Sequence, residues 1–163
     1  MTSHDAFRAA MARVPGPVAV ATTIDAAGRR WGFTASSFTS LSLEPPLVMV
    51  CLGKAASTHA AFTGTGAFLI NVLAVDQEGV ARQFARSGVD RFTGGDMVPC
   101  ELGLPGLPGA AARVACDLHT VADGGDHSIL IGRVTATFTG AAEPLVYYER
   151  TFTRPAAMMR VPG

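Results

Sequence analysis

Charged side chains are scarce in this sequence. Only 16% of its 163 residues are charged, acidic and basic residues are equal at 13 each, and the isoelectric point is near 6.9. No global field therefore attracts the chain to nucleic acid or to an anionic membrane, since such binding needs an excess of positive charge. We expect neither kind of partner.

Cysteine and long apolar runs are also scarce. The three cysteines, Cys51, Cys100 and Cys116, form neither a CxxC pair nor a Cys/His pair with the spacing of a zinc site. Cys51 and Cys116 lie in apolar segments, as expected for reduced, buried thiols of a cytoplasmic protein. No run of about 18 apolar residues occurs, so no transmembrane span is predicted.

The signatures of several large enzyme classes are missing as well. The sequence contains no GxGxxG after its first strand, no GxxxxGK[ST], no GxSxG and no HExxH. Its four histidines lack metal-ligand spacing. The remaining hydroxyls, glycines and backbone groups suit a protein that binds a reactive cofactor and leaves the chemistry to that cofactor.

Apolar residues, in contrast, are plentiful. They make up 48% of the chain, and the mean hydropathy is +0.30. This length and composition predict one domain with a substantial core. A neutral, apolar exterior also indicates a subunit interface, so we expect a homo-oligomer.

The spacing of the apolar residues predicts strands that follow one another through turns. The predicted strands cover residues 18–24, 31–35, 47–52, 68–73, 112–122, 128–139 and 144–148. The run LVMVCL at 47–52 is almost continuously apolar, which is typical of a strand buried on both faces. DGGDH at 123–127 is the strongest hairpin signal.

Only short helices are predicted, at the N-terminus, after Ser57 and after Asp76. Residues 88–112 are rich in Gly and Pro and are predicted to form a long loop of the kind that often serves a site. Strands joined by turns rather than by helices favour a closed antiparallel barrel over a doubly wound fold.

One stretch, GFTASSFTSLSLEPP at 32–46, carries small and hydroxylated residues between two predicted strands. Small side chains let a ligand approach the backbone closely, and hydroxyls can donate or accept hydrogen bonds. The stretch is therefore either a loop that closes the core or a surface that receives a flat polar ligand.

Five segments occur in an order that resembles the short-chain flavin reductases, the reductase components of two-component flavin-dependent monooxygenases. The segments are GFTASSFTSLSLEPPLVMVCL, KAAST, FLINVLAVDQEGVARQFA, GDHSILIGRV and PLVYY. The resemblance implies a mainly β fold of the flavin reductase-like family: a closed six-stranded antiparallel split barrel, of Greek-key topology, with a few short flanking helices. It implies a single domain over residues 1–163, with a core at about 5–153 and a loose tail at 154–163.

The resemblance also implies which residues bind the cofactor. Along the isoalloxazine edge it places Thr34, Ala35, Ser36 and Ser37. Around the flavin phosphate it places Lys54, Ser57 and Thr58, because hydroxyls and a cation at a helix start suit a phosphate, although the residues alone fit a plain helix cap equally well. The pocket is completed by Cys51, Asn71, Phe84 and Tyr148. His127 is implied to contact the flavin and to position the nicotinamide.

The activity implied is hydride transfer from NADH, or NADPH, to N5 of FMN or FAD. Reduced flavin then passes to a partner monooxygenase, and the enzyme is a cytoplasmic homodimer. Two alternatives remain open: a flavin-binding or flavin-storage protein without reductase activity, and an oxidase of the pyridoxamine-phosphate type on the same barrel, since one fold hosts several chemistries.

Overall fold

The computed structural model describes residues 2–159 and is mainly β. Its helices are α1 (His4–Ala12), α2 (His59–Gly64) and α3 (Glu78–Phe84), with a short 3-10 turn at Glu101–Gly103. Its strands are β1 (Gly16–Pro17), β2 (Ala19–Ile24), β3 (Arg30–Ala35), β4 (Thr39–Ser42), β5 (Leu47–Gly53), β6 (Ala67–Val72), β7 (Val98–Pro99), β8 (Pro105–Gly106), β9 (Ala112–Gly124), β10 (His127–Thr139), β11 (Val146–Tyr148) and β12 (Thr151–Thr153). The prediction of a mainly β fold with a few short helices is confirmed.

Seven strands form the main sheet, in the order β3-β2-β6-β9-β10-β5-β4. Every pair in it is antiparallel. A second sheet has the order β1-β11-β12, and β7 pairs with β8. The main sheet thus has one strand more than the six predicted, and no ladder joins its edge strands β3 and β4 within residues 2–159.

The largest core cluster lies on one face of the main sheet. It is built from β2, β3, β5, β6, β9, β10 and α2, and includes Val50, Phe62, Phe68, Ile70 and Leu130. Phe62 of α2 packs edge-on against Phe33 of β3, with ring centroids 4.8 Å apart. The helix therefore covers the core beside β3, where the polar stretch at 32–46 begins.

The prediction that residues 47–52 are buried on both faces is wrong. Along β5, Val48, Val50 and Leu52 are buried, whereas Leu47, Met49 and Cys51 are only half-buried. Alternate side chains of a strand point to opposite faces, so one face of β5 packs on the core and the other stays uncovered in the single chain. An apolar outer face accounts for the continuous apolar run.

The hairpin predicted at DGGDH is confirmed. β9 and β10 each extend over 13 residues, and Gly125 in the turn has φ of 77°, which favours glycine. The backbone NH of Lys54 donates to the carbonyl of Asp126 over 2.9 Å, so the tip of the hairpin is tied to the end of β5. His127 at this tip is thereby fixed beside Gly53.

The helix α3 packs under the second core cluster through Ala81 and Phe84. In contrast, α1 buries none of its side chains, and Phe7 and Met11 are 59% and 50% exposed. Ser3 caps this helix, because its side chain accepts from the NH of Ala6 over 3.1 Å. None of the helices within residues 2–159 has the length and apolar character needed to cross a membrane.

The Gly- and Pro-rich stretch at 88–112 contains β7, the 3-10 turn and β8 rather than a structureless loop. Arg113 holds it in place: its guanidinium donates to Glu101 over 2.7 and 2.9 Å and to the Leu107 carbonyl over 2.8 Å. Residues 154–159 contain no helix or strand, and the rest of the predicted tail lies outside the described residues.

Candidate functional site

A cleft of about 450 Å³ opens between the end of β3, the end of β5 and the end of α3. It is lined by Phe33, Thr34, Ala35, Ser36, Ser37, Cys51, Leu52, Gly53, Ala56, Thr58, Phe84, Ala85, Ser87, Arg91 and His127. Eight of the residues predicted from the sequence meet here: Thr34, Ala35, Ser36, Ser37, Cys51, Thr58, Phe84 and His127. Segments that are far apart in the chain thus converge on one site.

Residues 34–37 form one wall of the cleft. β3 is an edge strand that pairs only with β2, so backbone NH and carbonyl groups on its other edge have no ladder partner. The hydroxyl of Thr34 donates to the carbonyl of Ala81 over 2.7 Å, and Ser37 Oγ accepts from the NH of Cys51 over 2.9 Å. The side chains therefore anchor the wall, and the backbone is left to face a ligand.

Thr58 supplies a polar atom that the protein does not use. The residue is 2% exposed, and its Oγ1 has no hydrogen-bond partner among the described residues. A buried hydroxyl without a partner costs about 1–3 kcal/mol. An acceptor or donor from a ligand in the cleft would satisfy it.

Arg91 brings a cation to the same cleft. Its Nε donates to the Arg86 carbonyl over 2.7 Å and its Nη1 to the Gly32 carbonyl over 2.6 Å. Partial burial lowers the pKa of this guanidinium, which nevertheless stays protonated because arginine titrates far above neutrality. The group is a fixed positive charge in the lining of the cleft that Thr58 also borders.

His127 lies where the β9–β10 hairpin reaches β5, opposite Gly53 in the ladder. Its Nδ1 is 2.7 Å from Oδ1 of Asp126, and its Nε2 would be 3.9 Å from a Cβ added to Gly53. The hydrogen bond from His127 lowers the pKa of the Asp126 carboxyl. This pairing orients the imidazole at the mouth of the cleft.

Phe84 contributes only an edge to the site. The ring is 3% exposed and packs edge-on against Phe92, with centroids 5.0 Å apart. It also lies so close to Gly32 that a Cβ there would come within 2.7 Å of the ring. Phe84 thus supports the wall of the cleft while forming part of the core.

Four predicted residues do not line the cleft. Asn71 is fully buried, with its amide donating to the Val20 carbonyl and its Oδ1 accepting from the Leu107 NH. Lys54 pairs with Asp123, whose pKa is lowered by that contact. Ser57 borders an adjoining cavity, and Tyr148 lies in β11 with Arg13 over its ring. None of these four residues borders the cleft itself.

Three more cavities adjoin the cleft, and two of them carry clustered arginines. One of about 610 Å³ shares Thr34, Ala35, Ser36 and Ala85 with the cleft and is bordered by Arg82, Arg86 and Arg150. The other, of about 710 Å³, shares Thr58 and Arg91. We call them the arginine cavity and the tryptophan cavity, since Trp31 borders the second.

The cleft fits a flat cofactor with a phosphate. Small residues at 34–37 leave room for a ring against an unpaired strand edge, and the orphaned Thr58 hydroxyl and the Arg91 guanidinium lie where an anion would be held. Within residues 2–159 no group of three or more His, Cys, Asp or Glu side chains could hold a metal ion.

Sequence reasoning missed Arg91, Ser87 and Gly53 as members of the site. Arg91 lies within the Gly- and Pro-rich stretch at 88–112, which has no periodicity, so nothing local indicated that its side chain returns to Gly32. The same holds for the arginine cavity, because Arg82, Arg86 and Arg150 come from two elements far apart in the chain. The ion pair between Lys54 and Asp123 was also not predicted, because the two residues are far apart in the sequence.

Comparisons with known proteins identify the family of the chain. Residues 11–156 match the family described as "Flavin reductase like domain". A protein of Streptomyces pristinaespiralis described as NADH:riboflavin 5'-phosphate oxidoreductase is 43% identical over 152 residues, which are 91% of this chain and 86% of that protein. The reductase subunit HsaB of a flavin-dependent monooxygenase from Rhodococcus jostii is 39% identical, over 90% of this chain and 75% of its own.

A solved structure shows the same fold. The NADH:FAD oxidoreductase SgcE6 of Streptomyces globisporus C-1027, in complex with NAD and FAD fragments, superimposes with a TM-score of 0.89. Its sequence is 37% identical, and the match covers 95% of this chain and 94% of that one.

Proposed function

The chain belongs to the flavin reductase-like domain family, and from this we infer that it is an NADH-dependent flavin reductase that supplies reduced flavin to a monooxygenase. One observation carries the assignment to this site: the cleft joins an unpaired strand edge to the buried, unsatisfied hydroxyl of Thr58. The relatives named above act on riboflavin phosphate, on FAD, or as the reductase subunit of a monooxygenase.

The protein's contribution is to bind and orient. A bound flavin would supply the electron acceptor for a hydride from the nicotinamide. The free backbone edge at 34–37 would hold the polar edge of the ring, and Thr58 with Arg91 would hold the phosphate. Holding two rings face to face in a fixed pocket accounts for much of the rate gain in such reactions.

His127 is proposed to position the nicotinamide. It stands at the mouth of the cleft, half-exposed, and Asp126 fixes one ring nitrogen. The other nitrogen is then free to face a substrate that enters from solvent. This role predicts an effect on the use of NADH rather than on flavin binding.

The arginine cavity is proposed to hold the diphosphate of NADH. It opens directly beside residues 34–36, where the flavin ring would lie, and no carboxylate is among the residues that border it. Arg82 is restrained by Glu78 over 3.0 Å and lies over the Phe152 ring, while Arg86 and Arg150 border the same space. Clustered guanidinium groups are well suited to phosphate oxygens.

A homodimer is proposed because the outer face of the main sheet is apolar. Ile129 pairs with Cys51 and Ile131 with Met49, and these four side chains are half-buried on the face opposite the core. Apolar faces of this kind commonly mark subunit interfaces. Since Cys51 also lines the cleft, a second copy seated there would lie against the site. Met49→Glu should convert a dimer to a monomer in sedimentation.

A closed split barrel is proposed for the main sheet although its edge strands share no ladder. The NH of Cys51 donates to Ser37 Oγ across the gap between the end of β3 and β5. The core cluster also brings Phe33 of β3 together with Val50 and Leu52 of β5. Core side chains and this one hydrogen bond would thus close the barrel on the side where no backbone ladder joins the edge strands.

A cytoplasmic location is also proposed, because the described thiols, Cys51, Cys100 and Cys116, are unpaired, which suits a reducing compartment.

A single domain is proposed over nearly the whole chain, and the family match over residues 11–156 supports it.

The proposed function is tested by mixing the purified protein with NADH and excess FMN or FAD and following nicotinamide absorbance. Loss of NADH that depends on both protein and flavin is expected. A protein that binds flavin but oxidises no nicotinamide would instead be the storage protein of the first alternative.

A further inference from the structure

The structure assigns the tryptophan cavity to the AMP half of FAD, which makes FAD the preferred flavin of this chain; the assignment rests on the proposed function. FMN ends at a single phosphate, whereas FAD continues through a second phosphate to ribose and adenine. The cavity lies where that continuation would go.

Continuity with the cleft is the first reason. Thr58 and Arg91 border both spaces, and they are the groups that fit the flavin phosphate. The cavity therefore begins at the phosphate end and not at the ring end, where the arginine cavity opens. With about 710 Å³ it is larger than the cleft, so a nucleotide has room in it.

The groups available for a diphosphate are the second reason. Nε and Nη1 of Arg91 are committed to backbone carbonyls, and no bond of its Nη2 is present within residues 2–159. A guanidinium held by two bonds loses little freedom when a phosphate binds its remaining donor. The Thr58 hydroxyl, buried and unpartnered, points to a ligand at the same position.

The third reason is that the far wall combines cations with aromatic rings. Arg29 lies 4.2 Å from the Trp31 ring centroid, and Arg30 lies 4.6 Å from that of Phe92. The indole is fixed because its Nε1 donates to Asp25 over 2.8 Å. Flat guanidinium and indole groups are natural stacking partners of a purine base.

The charge of the cavity also favours an anion. Arg29, Arg30 and Arg91 border it, and Asp90 is the one carboxylate among its lining residues. One oxygen of Asp90 accepts from the NH of Phe92 over 2.9 Å, so part of its charge is used within the loop. A diphosphate would therefore meet a net positive surface.

Affinity and fluorescence test the assignment directly, because Trp31 is the single tryptophan of the chain. Calorimetry is expected to give a Kd for FAD at least about tenfold lower than for FMN. FAD should also quench the fluorescence of Trp31 more than FMN does at equal saturation. Equal affinities and equal quenching, in a protein that still oxidises NADH with either flavin, would overturn this inference and leave the reductase standing.

Competition with AMP separates the two halves of the ligand. AMP should raise the apparent Kd of FAD and leave the Kd of FMN within about threefold, since FMN and AMP would occupy different spaces. AMP that displaces both flavins, or neither, would contradict the assignment. A protein that binds no flavin in any arm would overturn the proposed function as well.

A paired substitution supplies the matched control. Replacing Arg29→Gln together with Arg30→Gln should raise the Kd for FAD about tenfold and leave the Kd for FMN unchanged. Of the three spaces described above, these two residues border the tryptophan cavity alone. Arg133→Gln, an exposed position on β10, should change neither affinity. If the double substitution raises the Kd for FMN as much as the Kd for FAD, these arginines do not bind the AMP half.

Discussion

The backbone NH of Cys51 donates a hydrogen bond of 2.9 Å to the hydroxyl oxygen of Ser37. Ser37 follows the edge strand β3, whereas Cys51 lies within β5, next to the opposite edge strand β4. The bond therefore sets the width of the cleft at the point where a flavin ring would enter.

Replacing Ser37→Ala should lower the free energy of unfolding by about 1–2 kcal/mol, because the NH of Cys51 loses its acceptor in a partly buried place. Flavin affinity should fall with it, since the cleft wall is released. Urea unfolding and flavin titration measure the two effects. Ser40→Ala, an exposed hydroxyl on β4, is the control and should behave as wild type; an equal loss there would argue against a specific bridge.

Replacing Thr58→Val should separate binding from stability. The Thr58 hydroxyl is buried without a partner, so a methyl group of similar size should leave thermal stability equal or raise it. Flavin affinity should drop about tenfold, because the group that would contact the phosphate is gone.

The neighbouring Thr63→Val serves as the control for Thr58, since its hydroxyl donates within α2 to the His59 carbonyl over 2.9 Å. That variant should keep its flavin affinity. Thr58→Val with full flavin affinity would show that the phosphate is held elsewhere.

Replacing His127→Ala should raise the KM for NADH about tenfold and leave the Kd for flavin unchanged. The imidazole stands at the mouth of the cleft beside Asp126 rather than at its floor. Steady-state kinetics and a flavin titration give the two numbers. His119→Ala, an exposed histidine on β9, is the matched control; a similar change in both variants would remove the positioning role from His127.

Acid should weaken the clamp between Glu101 and Arg113. Hydrogen bonding to Arg113 lowers the pKa of the Glu101 carboxyl below its ordinary 4.5. Because the folded pKa is the lower one, this stabilisation is present above the unfolded pKa and is lost as pH falls through the folded value.

Glu101→Gln should therefore cost roughly 3 kcal/mol of unfolding free energy at neutral pH, since it leaves Arg113 buried without its charge partner. The difference from wild type should shrink under acid conditions. Urea unfolding across pH measures it, with Glu78→Gln as control, because that pair with Arg82 is exposed and worth less than about 0.5 kcal/mol. A difference that stays constant with pH would contradict the assignment.

Local pattern predicted the strands and much of the cleft. Some features depend only on residues that are close together in the chain, so a short segment of sequence is enough to indicate them. They are the hairpin at 123–127, the cap at Ser3 and the polar stretch at 34–37. The order of the motifs also predicted one site for Thr58 and His127, and both line the cleft.

The rest depended on contacts between distant segments. The guanidinium of Arg91 donates to the carbonyl of Gly32, which is far away in the sequence. The side-chain amide of Asn71 forms hydrogen bonds with Val20 and Leu107. The spacing of residues in the sequence predicts neither contact. The apolar run of β5 was misjudged for a related reason: composition cannot distinguish a face covered by the chain itself from one left for a second copy.

The most direct measurement mixes the flavin-loaded protein with NADH without oxygen, using NADH that carries deuterium on one or the other face of C4. If the cleft holds the two rings face to face, flavin absorbance should bleach, and deuterium should slow the bleaching on one face only. Bleaching that is equally fast for both labelled forms, or no bleaching at all, would contradict hydride transfer within this cleft.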